Sequence, residues 1–220
     1  MLVTHRRMSD PQFRQQQKDG VRAPHVAPIN ALVDELNDPS GRGWVPYVSP
    51  DYGGVDARVL NVFRDPGPKT HRHHDGSGFL CAENDDPGAE RFATLLEGAG
   101  IPVGETLSWN TYPWYIYDDQ PGAAELEAGV EPLRRLLGLL PGLRVVMLHG
   151  GEARNGWKRL ARRHPDLISR LEVVPTYSTA DRAFIGTPEV RAERMAQLKE
   201  AFERTARILQ EPDHGPPAHS

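Results

Sequence analysis

The chain has little of what several large classes of protein require. It holds one cysteine, Cys81, in 220 residues. A single cysteine excludes a disulfide within the chain and any metal or iron–sulfur site built from several of its cysteines. No apolar run approaches the roughly 20 residues that span a bilayer, and no apolar signal-peptide core follows the polar first ten residues. We therefore expect a cytoplasmic protein with no membrane partner.

The length and the charge set the next limits. A chain of this size can bury a full core, and its formal net charge of −4 does not favour nonspecific adhesion to nucleic acid. A local basic face can still contact phosphates. We expect a single domain over residues 28–210, preceded by a mobile N-terminal tail at 1–27 that lacks an apolar period. Residues 211–220 are expected to form a disordered C-terminal tail.

Apolar runs and helical periods alternate along this domain. The run at 57–63 indicates a strand buried on both faces, and further strands are predicted at 105–110, 143–148 and 171–174. Helices are predicted at 29–37, from Asp86-Pro87 to Gly98, at 122–140, at 152–163, and from Thr187-Pro188 onward. The alternation predicts an α/β fold in which a parallel sheet carries helices on both faces.

Polar side chains follow each of the four strands. Because the carboxyl ends of parallel strands meet at one edge of a sheet, we expect these side chains to converge on one ligand site. The residues concerned are Arg64, Asp65, Asn110, Thr111, His149, Thr176 and Ser178.

Asp65 lies in the stretch Arg64-Asp65-Pro66-Gly67-Pro68, directly after the first strand. An Asp before Pro-Gly is a common turn former, which is the alternative to a catalytic role. On a loop stiffened by two prolines, its carboxylate could orient a water and offset the positive charge of an oxocarbenium-like transition state.

Asn110 and Phe79 suggest a planar ligand. An amide both donates and accepts, so Asn110 can read the edge of an amide-like base, and Phe79 can stack on its ring. The alternatives are a capping Asn, a core aromatic at Phe79 and a satisfied histidine at His149.

Three histidines follow the proline turn, in His71-Arg72-His73-His74. Adjacent histidines in one loop seldom point at one ion, so we expect no metal and no other cofactor. Contact with phosphate or simple solvent exposure is expected instead, with Lys69, His71 and Arg72 near the proposed site. If the ligand is DNA, this loop or the basic face of the helix at 152–163 contacts its phosphates.

Taken together, these motifs resemble the uracil-DNA glycosylase superfamily. The strand that ends in Arg64-Asp65-Pro66-Gly67-Pro68 is similar to the family's first motif, which implies that Asp65 activates water and that Pro66 and Gly67 contact the substrate. The resemblance also implies that Phe79 stacks on the bound base and that Asn110 reads its edge. The run 145–150 and the following helix with Trp157 look like the family as well.

The match spans roughly residues 44 to 205 and implies a three-layer α/β/α fold with a four-stranded parallel sheet. The last motif departs from the usual His-Pro-Ser, since this chain has Thr176-Tyr177-Ser178 there. Thr176 or His149 is left to assist the departing base, together with the backbone of 66–68, and Ser178 is a substrate contact.

The resemblance implies a monofunctional DNA glycosylase that flips uracil out of DNA and hydrolyses its glycosidic bond as a monomer. Arg182 and Phe184 are the candidate wedge residues that fill the space left by the flipped base. Arg64, where a small residue is common in the family, either contacts phosphate or partly fills the pocket. The alternatives are a glycosylase for another damaged base, such as hypoxanthine or xanthine, and a catalytically weak damage-binding protein.

Overall fold

Four parallel strands form the central sheet of the computed structural model, which describes residues 5–38, 41–71, 75–117 and 120–212. The strands of the chain are β1 (Tyr47–Val48), β2 (Val59–Phe63), β3 (Phe79–Leu80), β4 (Thr106–Asn110), β5 (Val145–His149) and β6 (Glu172–Thr176). The sheet order is β4-β2-β5-β6, and every pairing is parallel. The predicted α/β class and the four-stranded parallel sheet are confirmed.

The helices are α1 (Pro11–Asp19), α2 (Ala27–Leu36), α3 (Pro87–Gly98), α4 (Ala123–Ala128), α5 (Val130–Leu137), α6 (Gly151–Arg163), α7 (Pro165–Ile168) and α8 (Pro188–Gln210). Two begin as their sequences predict, with a proline in the first turn. The Asp86 carboxylate accepts from the backbone N–H of Ala89 at 2.9 Å, and the Thr187 hydroxyl accepts from that of Val190 at 3.4 Å.

The helices form two layers around the sheet, which gives the three-layer α/β/α arrangement. In one layer α6 packs on β5 and β2 and contacts α4, α5 and α7. In the other, α8 packs on β5 and β6 and contacts α3. The central strands are buried on both faces, which explains why β2 reads as a continuous apolar run rather than an alternating one.

The single helix predicted at 122–140 is wrong, because α4 ends before Gly129 and α5 begins after it. A Cβ on Gly129 would lie 1.8 Å from the backbone oxygen of Thr111. The chain therefore breaks where the helical segment passes closest to the end of β4, and only glycine fits there.

The N-terminal segment is ordered over residues 5–27, in contrast to the mobile tail predicted there. Met8 and Phe13 are buried in a cluster with Phe79 and Cys81. The backbone N–H of Met8 donates to the carbonyl of Glu83 at 2.9 Å, and Arg7 lies 3.2 Å from the Glu83 carboxylate. The prediction failed because two apolar residues, too few to form a helical period, are enough to dock this short segment.

The C-terminal tail predicted at 211–220 falls mostly at 213–220, outside the described residues. Within the ranges that the structure covers, no helix combines the length and the apolar character needed to cross a membrane.

Candidate active site

A cavity of about 450 Å³ lies at the carboxyl ends of β2 and β4. This is where an open α/β sheet binds ligands. The cavity brings together eight of the residues predicted from the sequence: Arg64, Asp65, Pro66, Gly67, Lys69, Asn110, Ser178 and Arg182. Sequence reasoning missed several other lining residues: Tyr52, Phe63, Cys81, Asn84, Phe92, Ser108, Tyr115 and Ile116.

The carboxylate of Asp65 is held by its neighbour. Arg64 Nε donates to one Asp65 oxygen, and the Arg64 Nη2 lies 3.4 Å from the other. The Asp65 side chain is 6% exposed and that of Arg64 is 16% exposed. Burial raises the pKa of Asp65, while the charges of Arg64 and Arg182 oppose that rise. Arg64 therefore keeps a buried carboxylate oriented and favours its ionised form.

Asn110 stands directly beside this pair. It ends β4 opposite Phe63 in the parallel register, and the backbone N–H of Tyr112 donates to the Arg64 carbonyl at 3.0 Å. The side chain is 2% exposed. Its Nδ2 is buried and has no hydrogen-bond partner among the described residues. A buried donor without a partner, on a residue that lines the cavity, is suited to a ligand acceptor.

Thr111, the next residue, is clamped between two glycines. A Cβ on Gly129 would meet its backbone oxygen, and a Cβ on Gly156 in α6 would lie 1.7 Å from its Oγ1. Both glycines therefore permit the close approach that seats the end of β4 against α6. Since Asn110 precedes Thr111 in the chain, this packing also sets the position of the amide.

We expect Gly156→Ala to destabilise the protein by roughly 1–3 kcal/mol, because the added methyl overpacks Thr111. In an open helix the same change stabilises by about 1 kcal/mol. Gly98→Ala is the control, since a Cβ there meets no heavy atom within 4 Å among the described residues. Denaturant unfolding measures both variants. Adding Thr111→Ala should restore much of the loss, and an equal loss in the double variant would contradict the clash.

The aromatic wall of the cavity is not the predicted one. Phe63 and Tyr115 line it, whereas Phe79 does not. Phe79 is 2% exposed and packs with Met8 and Phe13 on the side of the N-terminal segment. The structure therefore does not bring Phe79 to the cavity, whose aromatic lining also includes Tyr52 and Phe92.

His149 and Thr176 lie behind the cavity wall rather than in it. Nε2 of His149 lies 3.1 Å from Asn61 Oδ1, and its ring stacks on Phe63 with centroids 4.3 Å apart. Burial lowers the pKa of His149 to about 3, so the imidazole is neutral. Thr176 is buried, pairs with His149 in the β5–β6 register and does not line the cavity. The structure therefore does not bring either of these two predicted catalytic residues to the cavity.

The backbone of residues 66–68 offers fewer hydrogen-bond donors than the sequence analysis expected. Pro66 and Pro68 have no N–H, so Gly67 supplies the only one of the three. Gly67 is exposed at the rim, and its carbonyl accepts from the backbone N–H and the hydroxyl of Thr70.

The predicted phosphate contacts divide into three cases. Lys69 lines the mouth of the cavity with its side chain 51% exposed. His71 is 3% exposed, and its ring packs against Trp44 and Tyr115, so the structure does not bring it to the surface. Arg72 lies outside the described residues, as do His73 and His74.

The loop after β6 reaches the opposite rim. Arg182 lines the cavity, and burial together with the charge of Arg64 lowers its pKa. Phe184 is half-buried, with the Arg91 guanidinium 4.2 Å from its ring centroid. Ile185 is 74% exposed, and the sequence contained no signal for it because an isolated apolar residue in a loop has no period. Ile185 therefore presents more apolar surface to solvent than Phe184 does.

Cys81 brings a thiol to the lining of the cavity. Burial raises the pKa of Cys81 to about 12, which keeps it a thiol and disfavours a thiolate nucleophile. Across the part of the chain that the structure describes, no group of three or more His, Cys, Asp or Glu side chains is arranged to hold a metal ion.

No protein-family model matches the chain, and a search of curated proteins finds no match.

Proposed function

We propose that the chain is a monofunctional DNA glycosylase that takes a flipped deaminated base, uracil first among them, into the cavity beside Asp65. The observation that carries this proposal is that two groups line the same cavity. One is the buried carboxylate of Asp65, which Arg64 orients, and the other is the buried Asn110 donor that has no partner among the described residues. The resemblance of the 64–68 turn and of Asn110 to the uracil-DNA glycosylase superfamily supports the same reaction.

In this mechanism Asp65 orients a water toward the sugar carbon as the bond to the base breaks. The carboxylate charge also offsets the positive charge that develops on the sugar. The base departs with the electron pair of the glycosidic bond and carries negative charge until it is protonated. Arg182 lines the cavity and carries a permanent positive charge, so it takes the part in stabilising the base that His149 and Thr176 cannot take.

Base flipping needs a group that fills the vacated space in the duplex. Ile185 is an exposed apolar side chain three residues beyond Arg182, which lines the cavity. An apolar wedge of this kind offsets the cost of unstacking, which is a few kcal/mol. Lys69 and Arg182 supply positive charge for the phosphates on either side.

The proposal is tested with duplex and single-stranded oligonucleotides that carry one uracil, hypoxanthine, xanthine or mismatched thymine. We expect abasic sites, detected by alkaline cleavage, in at least the uracil duplex. An undamaged oligonucleotide of the same sequence is the control. Absence of cleavage from every substrate, at enzyme concentrations that saturate binding, would overturn the proposed reaction.

A damage-binding protein with weak turnover is the second candidate. The pairing of Asp65 with Arg64 favours it, since a carboxylate engaged by an ion pair is a poorer base than a free one. Tight retention of a uracil oligonucleotide without strand breaks, in the same experiment, would identify this function.

The pH dependence of base release is expected to reflect the effect of Arg64 on the pKa of Asp65. Asp65 must be ionised to act, so the rate falls as the pH drops through its pKa, which burial raises. In Arg64→Gln the opposing cation is lost, the pKa of Asp65 rises further, and the acid limb moves to higher pH. Arg134→Gln, which breaks an exposed ion pair with Glu131, is the matched control. An unmoved acid limb in Arg64→Gln would show that another group controls it.

A further inference from the structure

A second buried amide, that of Asn84, lines the cavity from the loop before α3. The residue is 4% exposed. Its Nδ2 donates to the backbone carbonyl of Phe79 at 2.9 Å. Because a carbonyl oxygen only accepts, this contact fixes which way the amide is turned. The remaining atom, Oδ1, is buried without a hydrogen-bond partner within the part of the chain that the structure describes.

The orphaned acceptor of Asn84 matches the orphaned donor of Asn110. Both atoms belong to side chains that line the same cavity, and buried polar groups in proteins are nearly always paired. An acceptor and a donor left open on one cavity indicate a ligand that satisfies both. Such a ligand carries a hydrogen-bond donor and an acceptor on one edge.

The backbone around Asn84 holds the amide in place before any ligand arrives. The N–H of Asn84 donates to the Cys81 carbonyl at 3.3 Å, and its own carbonyl accepts from Asp86 at 2.8 Å. Asp86 in turn caps α3. Because the backbone and Nδ2 of Asn84 already make these hydrogen bonds, the side chain loses little further conformational freedom when a ligand binds. Such preorganisation favours discrimination between ligands.

We propose that Asn84 is a second base-reading residue, whose Oδ1 accepts a ring N–H while Asn110 Nδ2 donates to the adjacent ring carbonyl. This inference rests on the proposed function and narrows its substrate class. The preferred bases are lactams and imides that carry N–H beside C=O, the edge that deamination creates in uracil, hypoxanthine and xanthine. A ring whose N–H is replaced by a methyl group leaves Oδ1 unpaired.

Two N-methylated uracils test this without requiring catalysis. In 1-methyluracil the ring N–H between the two carbonyls is kept, and the methyl stands where the sugar would be. In 1,3-dimethyluracil both ring nitrogens are methylated, so no ring N–H is left to donate. We expect calorimetry or competition binding to show at least a tenfold preference of the unmodified protein for 1-methyluracil. Asn84→Ala should lose that preference while keeping a cooperative unfolding transition.

The outcomes separate this inference from the proposed reaction. A preference that survives in a folded Asn84→Ala variant, or that is absent from the unmodified protein, overturns the role of Asn84, even if uracil is excised from DNA. A preference that depends on Asn84 upholds the role, even if no oligonucleotide is cleaved. Asn155→Ala, which changes an exposed amide on α6, is the control and should bind both compounds as the unmodified protein does.

Discussion

Asp65→Asn is expected to slow base release by about 10²–10⁴-fold, the usual contribution of a positioned acid–base group. Asparagine keeps the shape of the side chain but has no negative charge to orient a water or to offset the charge on the sugar. Its oxygen can still accept a hydrogen bond from Arg64, so a cooperative unfolding transition should remain. Single-turnover excision from a uracil duplex measures the rate of the chemical step.

The binding of DNA distinguishes a catalytic role of Asp65 from a structural one. Removal of a negative charge beside the phosphates should leave the Kd for the duplex unchanged or lower it. Asp34→Asn is the matched control, because Asp34 also pairs with an arginine, Arg22 at 2.7 Å, and does not line the cavity. A loss of binding as large as the loss of rate would argue against the assignment of Asp65 to the chemical step.

Asn110→Ala is expected to lower kcat/KM for a uracil duplex by roughly 100-fold, equivalent to about 2.7 kcal/mol of transition-state stabilisation. The reason is that the variant loses the hydrogen bonds that orient the base edge. The free energy of unfolding of the free protein should instead rise in this variant. Since Nδ2 is buried and unpaired in the part of the chain described, its removal relieves a desolvation cost of about 1–3 kcal/mol.

These two effects of Asn110→Ala, measured together, identify a residue kept for binding rather than for folding. Kinetics give the first, and denaturant unfolding gives the second after allowance for the small cavity that the shorter side chain leaves. Asn155→Ala provides the comparison of the same substitution at an exposed position. A variant that is much less stable and unchanged in kcat/KM would assign Asn110 to the fold alone.

The fold was largely readable from the sequence because its signals are local. Continuous apolar runs gave β2, β4, β5 and β6, and the Asp86-Pro87 and Thr187-Pro188 pairs marked where α3 and α8 begin. The break at Gly129 was not readable, because it depends on a close approach to Thr111, which is distant in sequence and whose position only the folded chain defines.

The site was readable only in part, for the same physical reason. Residues at the ends of β2 and β4, such as Asp65 and Asn110, could be placed together because parallel strands share one edge. Whether a side chain faces the cavity or the core is decided by packing across layers. Phe79 lies in β3 and His149 ends β5, and neither lines the cavity, while Asn84 belongs to no predicted motif and does line it.

One wall of the cavity depends on contacts between residues that are far apart in the sequence, because the N-terminal segment docks against it. The contacts between Arg7 and Glu83 join residues separated by 76 positions in the chain. Their formation requires closure of a long loop, which costs entropy before the contacts repay it. We therefore expect the contacts of the wall that carries Asn84 to form late, and local opening of residues 5–19 to release that wall while the central sheet stays folded. Substitutions at Met8 or Phe13 are expected to alter the position of Asn84, although neither residue lines the cavity.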